Sequence, residues 1–222
     1  MRVSMTPKPQ MPDQVGHDNI ELSYPRTRVS IPKTMPYTVT PTHIPDLLVL
    51  EPKVFGDARG FFFESFNQQD FNQATGLNVQ FVQDNHSRSA QGVLRGLHYQ
   101  VQQPQGKLVR VVRGAVLDVA VDIRQSSPTF GQWVGVELTP EKCNQLWVPV
   151  GFAHGFCTLV PDSIVAYKVT NYYSPENDKG MMWDDPAVGV VWPDVADSAT
   201  LSAKDKVQPR LADLPPYYGM KD

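Results

Sequence analysis

The sequence predicts an all-β protein, a jelly-roll barrel or sandwich with a few short peripheral helices, and three observations predict it. From about residue 47 onward the apolar runs are of strand length, too short for buried helices. They are rich in β-branched and aromatic residues, which pack well on a pleated surface. They recur at regular spacing between turn residues as far as Thr170, the rhythm of an antiparallel fold.

Residues 47–50, 61–63 and 79–82 read as the first strands. Residues 67–76 offer an N-cap asparagine, Asn67, and a terminal glycine, Gly76, so one short helix is expected there. The strongest strand signal is residues 107–113, turning at Gly114 into residues 115–123, and the pair reads as a hairpin. Residues 133–138, 145–148, 155–159 and 163–169 keep the same rhythm, and a last helical turn is expected at 202–205.

At 222 residues, 41% hydrophobic and 19% charged, the chain suits one domain, expected over residues 43–222 with a helical C-terminal tail. Residues 1–42 hold seven prolines among polar residues and read as an extended or disordered arm. A formal net charge of −3 supplies no broad positive field, which argues against nucleic acid as a partner. Cys143 and Cys157 make no disulfide framework in a chain of this size and read as free thiols. No apolar run approaches the ~18 residues of a membrane span, so a soluble, cytoplasmic protein without membrane partners is expected.

The most informative stretch is Gly92-Val93-Leu94-Arg95-Gly96-Leu97-His98-Tyr99-Gln100, where a histidine stands between an arginine and a tyrosine in a strand bracketed by glycines. A lone strand histidine is ordinarily a hydrogen-bonded core residue. Arg95, three residues earlier, would face the other side unless Gly96 introduces a bulge, and a bulged strand aims both inward. His154 follows Gly151 at a turn, where a loop histidine with no apolar period points to function. The two blocks resemble the half-motifs of a cupin barrel, yet position 100 is Gln100 and no acid follows before Asp118, so no metal is expected. Taken singly, Tyr167 reads as core, Lys168 as a solvated neighbour and Asp205 as a polar residue in a C-terminal turn. The Gly-Asp-x-Arg-Gly turn holding Asp57 and Arg59, followed by three phenylalanines and Glu64, reads equally well as a hairpin with a surface ion pair.

Together, however, several blocks resemble one family in their order along the chain. They are Gly56-Asp57-Ala58-Arg59-Gly60-Phe61-Phe62-Phe63-Glu64-Ser65, Phe81-Val82-Gln83-Asp84-Asn85-His86-Ser87, Val93-Leu94-Arg95-Gly96-Leu97-His98-Tyr99-Gln100, Gln105-Gly106-Lys107-Leu108-Val109-Arg110, Gly151-Phe152-Ala153-His154-Gly155-Phe156 and Leu201-Ser202-Ala203-Lys204-Asp205. From about Leu47 to Asp205 the chain resembles the dTDP-4-dehydrorhamnose 3,5-epimerases.

The resemblance implies a cupin-type jelly roll and an isomerase that inverts C3 and C5 of a dTDP-linked 4-keto-6-deoxy sugar on the way to L-rhamnose. It implies His98 as the base, Asp205 as the carboxylate that holds its ring, Tyr167 as the proton donor on the opposite face and Lys107 as the group that stabilises the enolate oxygen. Arg59, Glu64, Gln83, Asn85, Arg95 and His154 match substrate contacts. The resemblance further implies no cofactor and no metal. It also implies a homodimer in which an N-terminal strand reaches across, so that Arg59 and Glu64 serve the neighbour's site. The loop 174–180 matches a substrate-contacting region but leaves Asp178 unassigned, and the arm of about 42 residues has no counterpart. A relative inverting only C3 or only C5, and a jelly roll that binds the nucleotide sugar without turning it over, are the alternative readings.

Overall fold

The inward face of each strand, read at alternate positions, explains the whole architecture. The computed structural model describes residues 36–217. In chain order the strands are β1 (Tyr37–Pro41), β2 (Leu48–Pro52), β3 (Phe55–Asp57), β4 (Gly60–Phe62), then helix α1 (Gln68–Thr75). They continue as β5 (Gln83–Ser89), β6 (Leu94–Gln100), β7 (Lys107–Arg113), β8 (Val116–Asp122) and β9 (Trp133–Leu138). The last are β10 (Gln145–Val148), β11 (Phe152–Thr158), β12 (Ser163–Val169) and β13 (Asp178–Gly180), followed by 3-10 turns at Ser198–Thr200, Asp205–Val207 and Leu211–Asp213.

A first sheet runs β1-β2-β10-β7-β12-β5 and a second runs β13-β6-β11-β8-β9, with antiparallel pairing throughout both, while β3 and β4 form a separate hairpin. The all-β jelly-roll expectation holds. Val109, Val111, Leu146, Val148 and Val165 of the first sheet meet Val116, Ala120, Val134, Leu138, Phe152 and Phe156 of the second in one buried cluster. The same inward rows also carry Lys107, Tyr167, Asp118 and His154, so the apolar core gives way to a polar one along the same strands.

The outer faces are covered differently. On the first sheet, Leu50, Leu108 and Trp147 pack under α1 through Phe71, which is fully buried, so Phe71→Ala should cost about 3–5 kcal/mol. On the second sheet, Leu97, Val119 and Val121 lie under the C-terminal segment that carries Leu211, Leu214 and Tyr217. The helix is as expected: the Asn67 side chain accepts from the Gln69 and Asp70 amides, and Gly76 closes it at φ 73°.

Five expectations need correction. Strands 107–113 and 115–123 do not form a hairpin, because β7 pairs with β10 and β12 while β8 pairs with β11 and β9. Gly114, at φ 80° with Ser163 filling the space a side chain would need, turns the chain from one sheet into the other. Residues 79–82 form no strand, because helix side chains take up their backbone: the Gln68 and Asn72 amides donate to the Val79 carbonyl, and Phe81 N–H donates to Gln68. His154 lies within β11, not on a loop. In place of a helical turn at 202–205, a 3-10 turn starts at Asp205. Residues 37–41, assigned by sequence to the arm, form β1 and pair with β2 of the same chain; residues 1–35 lie outside the described residues. Among the described residues no helix is long and apolar enough to cross a membrane.

Candidate active site

A cavity of about 460 Å³ opens between the two sheets at their polar end. The first sheet lines it with Ser87, Lys107 and Tyr167, and the second with Arg95, His98, His154 and Asp178. Asp205, Ser202 and Lys204 reach it from the C-terminal segment.

Arg95 and His98 face the cavity together because β6 is bulged. In the β11 register His154 pairs with His98 but Phe156 pairs with Arg95, so β6 carries one extra residue over that interval. Gly96, at φ 122°, permits it, since a Cβ there would lie 2.5 Å from the Gly155 Cα. Arg95 Nε donates to Ser89 Oγ at 3.1 Å, which steadies the guanidinium at the cavity wall.

His98 Nε2 donates to Asp205 Oδ1 at 2.7 Å. A carboxylate only accepts, so Nε2 carries the hydrogen and the Nδ1 lone pair is free for a substrate proton. Burial alone would raise the Asp205 carboxyl, but the hydrogen bond and charge of His98, the Ser202 hydroxyl and the Gly96 amide together outweigh it and hold it below its ordinary value. The Asp205 N–H also donates to Ser202 Oγ at 3.1 Å, so Ser202 fixes the turn that aims the acid. His98 keeps 36% side-chain exposure while Asp205 keeps 5%: the imidazole meets the cavity and its acid is sealed behind it.

The opposite wall has its own electrostatics. Burial pushes the Lys107 ammonium down to about 8, against the pull of the Asp118 and Asp178 charges, and Nζ donates to the His98 carbonyl at 3.4 Å. Burial raises the Tyr167 phenol, with Arg95 opposing and Asp178 assisting, so the hydroxyl keeps its proton at neutral pH. Back on the wall that carries His98, His154 Nε2 donates to Asp118 Oδ1 at 2.9 Å, and both side chains are buried.

Of the residues singled out by sequence, His98, Lys107, Tyr167, Asp205, Arg95 and His154 line this cavity, whereas Arg59, Glu64, Gln83 and Asn85 do not. Gln83 acts one step away: its Oε1 accepts from the Tyr173 N–H at 3.1 Å and its Nε2 donates to Asn85 Oδ1 at 2.9 Å, so the pair props a cavity-lining tyrosine. Arg59 sits in the β3–β4 turn, paired with Asp57 at 2.5 Å and with its side chain 90% exposed. Glu64 is exposed just beyond that hairpin. Gln100 has no free ligand atom, because its amide donates to the Gln103 and Tyr172 carbonyls and its oxygen accepts from Ser174 N–H.

Sequence reasoning missed Ser87, Tyr173 and Lys204 and left Asp178 unassigned, although all four line the cavity. Ser87 follows Gln83 and Asn85 at the strand period of two, a signal that was available. Asp178 gathers Lys204 Nζ at 2.5 Å and the Tyr173 hydroxyl at 3.3 Å, a cluster assembled from separate segments that no local pattern reveals.

Comparison with known proteins agrees with this geometry. The dTDP-4-dehydrorhamnose 3,5-epimerase family model matches residues 41–213. The chain is 59% identical over 174 residues to the dTDP-4-dehydrorhamnose 3,5-epimerase of Salmonella typhimurium, covering 78% of this chain and 94% of that protein. It superposes with a TM-score of 0.77 and 49% identity on the crystal structure of a dTDP-6-deoxy-D-glucose-3,5-epimerase from Legionella pneumophila in complex with dTDP-4-keto-L-rhamnose, covering 82% of this chain and 98% of that one. A 3'-monoepimerase from Streptomyces bikiniensis in complex with dTDP-quinovose is similar at 35% identity and TM-score 0.73, over 78% of this chain and 87% of that one. Because the match runs through every strand that lines the cavity, at well over half identity to the Salmonella enzyme, the chain belongs to the dTDP-4-dehydrorhamnose 3,5-epimerase family.

Proposed function

We propose that His98, Asp205, Lys107 and Tyr167 carry out the family's epimerisation, converting dTDP-4-dehydro-6-deoxy-D-glucose to dTDP-4-dehydro-L-rhamnose in dTDP-L-rhamnose biosynthesis. The observation that carries this reading is the distribution of groups between the walls: the base comes from one sheet, the proton donor and the buried cation from the other. Inversion at a carbon requires that geometry, a proton taken from one face and returned to the other.

The C4 ketone of the substrate acidifies both neighbouring carbons. His98 Nδ1 removes the proton from C3 or C5, and Asp205 balances the imidazolium that forms. The electron pair moves onto the C4 oxygen, where the Lys107 ammonium offsets the developing charge. The Tyr167 hydroxyl then returns a proton to the opposite face, and solvent restores both groups. The reaction balances with protons alone, so the reading includes no cofactor and no metal. Arg95 and His154 bind substrate within the cavity; an arginine fork suits the diphosphate. Gln83 and Asn85 act through Tyr173 at the mouth. The test is an assay coupled to a downstream reductase. Wild-type protein should drive reduction, and no product with the authentic dTDP-sugar would end the reading.

We infer further that the enzyme works as a homodimer in the cytoplasm, with Arg59 and Glu64 serving the partner's cavity. The support is the β3–β4 hairpin, which holds Phe61 and Phe62 about two-thirds exposed beside an exposed arginine that does not line its own cavity. Cys143 and Cys157, both free, suit a reducing compartment. Mixing Arg59→Ala with His98→Asn protein tests the exchange. Hybrid dimers then contain one intact site, and activity should recover to roughly a quarter of wild type. No recovery would show that Arg59 serves its own chain or none.

A further inference from the structure

The proton-transfer scheme leaves one buried acid without a task. Asp118 is fully buried on the inward face of β8. One carboxylate oxygen accepts from His154 Nε2 at 2.9 Å, and the other, Oδ2, is buried with no hydrogen-bond partner among the described residues. A half-satisfied carboxylate in a dry interior is costly unless a nearby positive charge offsets it. Such a charge is at hand. Lys107 is also buried, and among the described residues the one hydrogen bond of its side chain is a long one of 3.4 Å to the His98 carbonyl. That neutral oxygen does little to hold an ammonium in a low-dielectric site.

The ionisable groups around Lys107 are Asp118 on β8, His154 on β11, His98 and Arg95 on β6, Tyr167 on β12 and Asp178 on β13. Arg95 disfavours a second cation, Tyr167 is neutral and the third carboxylate of the cavity, Asp205, is committed to His98, so the support comes from Asp118 and Asp178. Asp118, on the inward face of β8, keeps one buried oxygen without a hydrogen-bond partner among the described residues. Asp178 is instead engaged with Lys204 and Tyr173 at the mouth.

We infer that Asp118 is a positioning residue that keeps the Lys107 side chain in its ammonium form and fixes the His154 ring beside it. Asp118 therefore sets how far into alkaline pH the enzyme can work. The inference rests on the proposed role of Lys107 at the enolate oxygen: an ammonium that loses its proton no longer stabilises the intermediate, and turnover stops. It assigns a task to a residue that does not itself line the cavity.

The test is kcat against pH, from about 6 to 10, for wild type and Asp118→Asn, which keeps an acceptor for His154 and removes the charge. The alkaline limb should move to lower pH by about one unit in the variant. Asp178→Asn should move it less, and Asp118→Glu, which restores the charge, should return it toward wild type. Where Asp118→Asn does not fold, the smaller Asp118→Ser, with room for a water, carries the same expectation. A kcat reduced by one factor at every pH, with the limb fixed, would overturn the inference and leave Asp118 as a support for His154 alone. Wild-type protein inactive on the dTDP-sugar at every pH would instead end the functional reading itself, so the two failures are distinct.

Discussion

His98 and His154 stand opposite each other across β6 and β11, each donating Nε2 to an aspartate, at 2.7 Å and 2.9 Å. The pairs are alike in chemistry and differ in access. His98 is 36% exposed in its side chain with an acid from a C-terminal turn; His154 is 8% exposed, and its acid, Asp118, is fully buried on the neighbouring strand. In the proposed mechanism a proton passes between His98 and a substrate carbon because the half-exposed ring meets the cavity. The sealed pair has no such route for its acid, and works as fixed charge and fixed shape. On the proposed mechanism the same two residue types thus serve as a proton shuttle or as a scaffold according to what covers them.

Breaking the open pair should have the largest effect. His98→Asn is expected to lower kcat by about 10³ to 10⁴ with nucleotide-sugar affinity little changed, whereas His154→Asn should act mainly on KM. Steady-state kinetics of the two variants check this, and equal losses of kcat would erase the contrast between the pairs. The donor on the far wall comes next. Tyr167→Phe should reduce inversion by about 10² while exchange of substrate carbon protons with solvent continues, because the base still works. NMR of the recovered substrate separates exchange from inversion.

A stability effect sharpens the electrostatic side. The Lys107 ammonium titrates at about 8 in the folded chain against 10.5 ordinarily, so between those values the unfolded chain binds more protons and folding stability rises with pH. Lys107→Met removes that dependence. The stability of the Met variant relative to wild type should therefore fall by about 3 kcal/mol between pH 8 and 10.5, measured by denaturant unfolding. A difference that stays constant across that range would mean that Lys107 is not a desolvated ammonium.

The sequence made the strands legible where one face is apolar. Residues 107–113, 133–138 and 163–169 coincide with β7, β9 and β12, because alternation along a strand is a local property. It misassigned the 107–123 hairpin, because which sheet a strand joins depends on partners far along the chain, here β10, β11 and β12. The site divides in the same way. His98, Lys107, Tyr167 and Asp205 were found through motifs in a shared order, and the bulge at Gly96 was foreseen from the glycine itself. Asp118 was overlooked although a lone acid among Val116, Leu117, Val119 and Ala120 is a signal of a paired buried charge. The cluster of Tyr173, Asp178 and Lys204 had no such local mark, since a C-terminal turn and a short edge strand meet only in the fold.

The central claim is that one base on one wall and one donor on the other serve both carbons beside the ketone. The most direct measurement is NMR of the product formed from dTDP-4-dehydro-6-deoxy-D-glucose in deuterated water. Deuterium at both C3 and C5 with both centres inverted, and neither in His98→Asn, is the predicted result; deuterium and inversion at one carbon alone would contradict it.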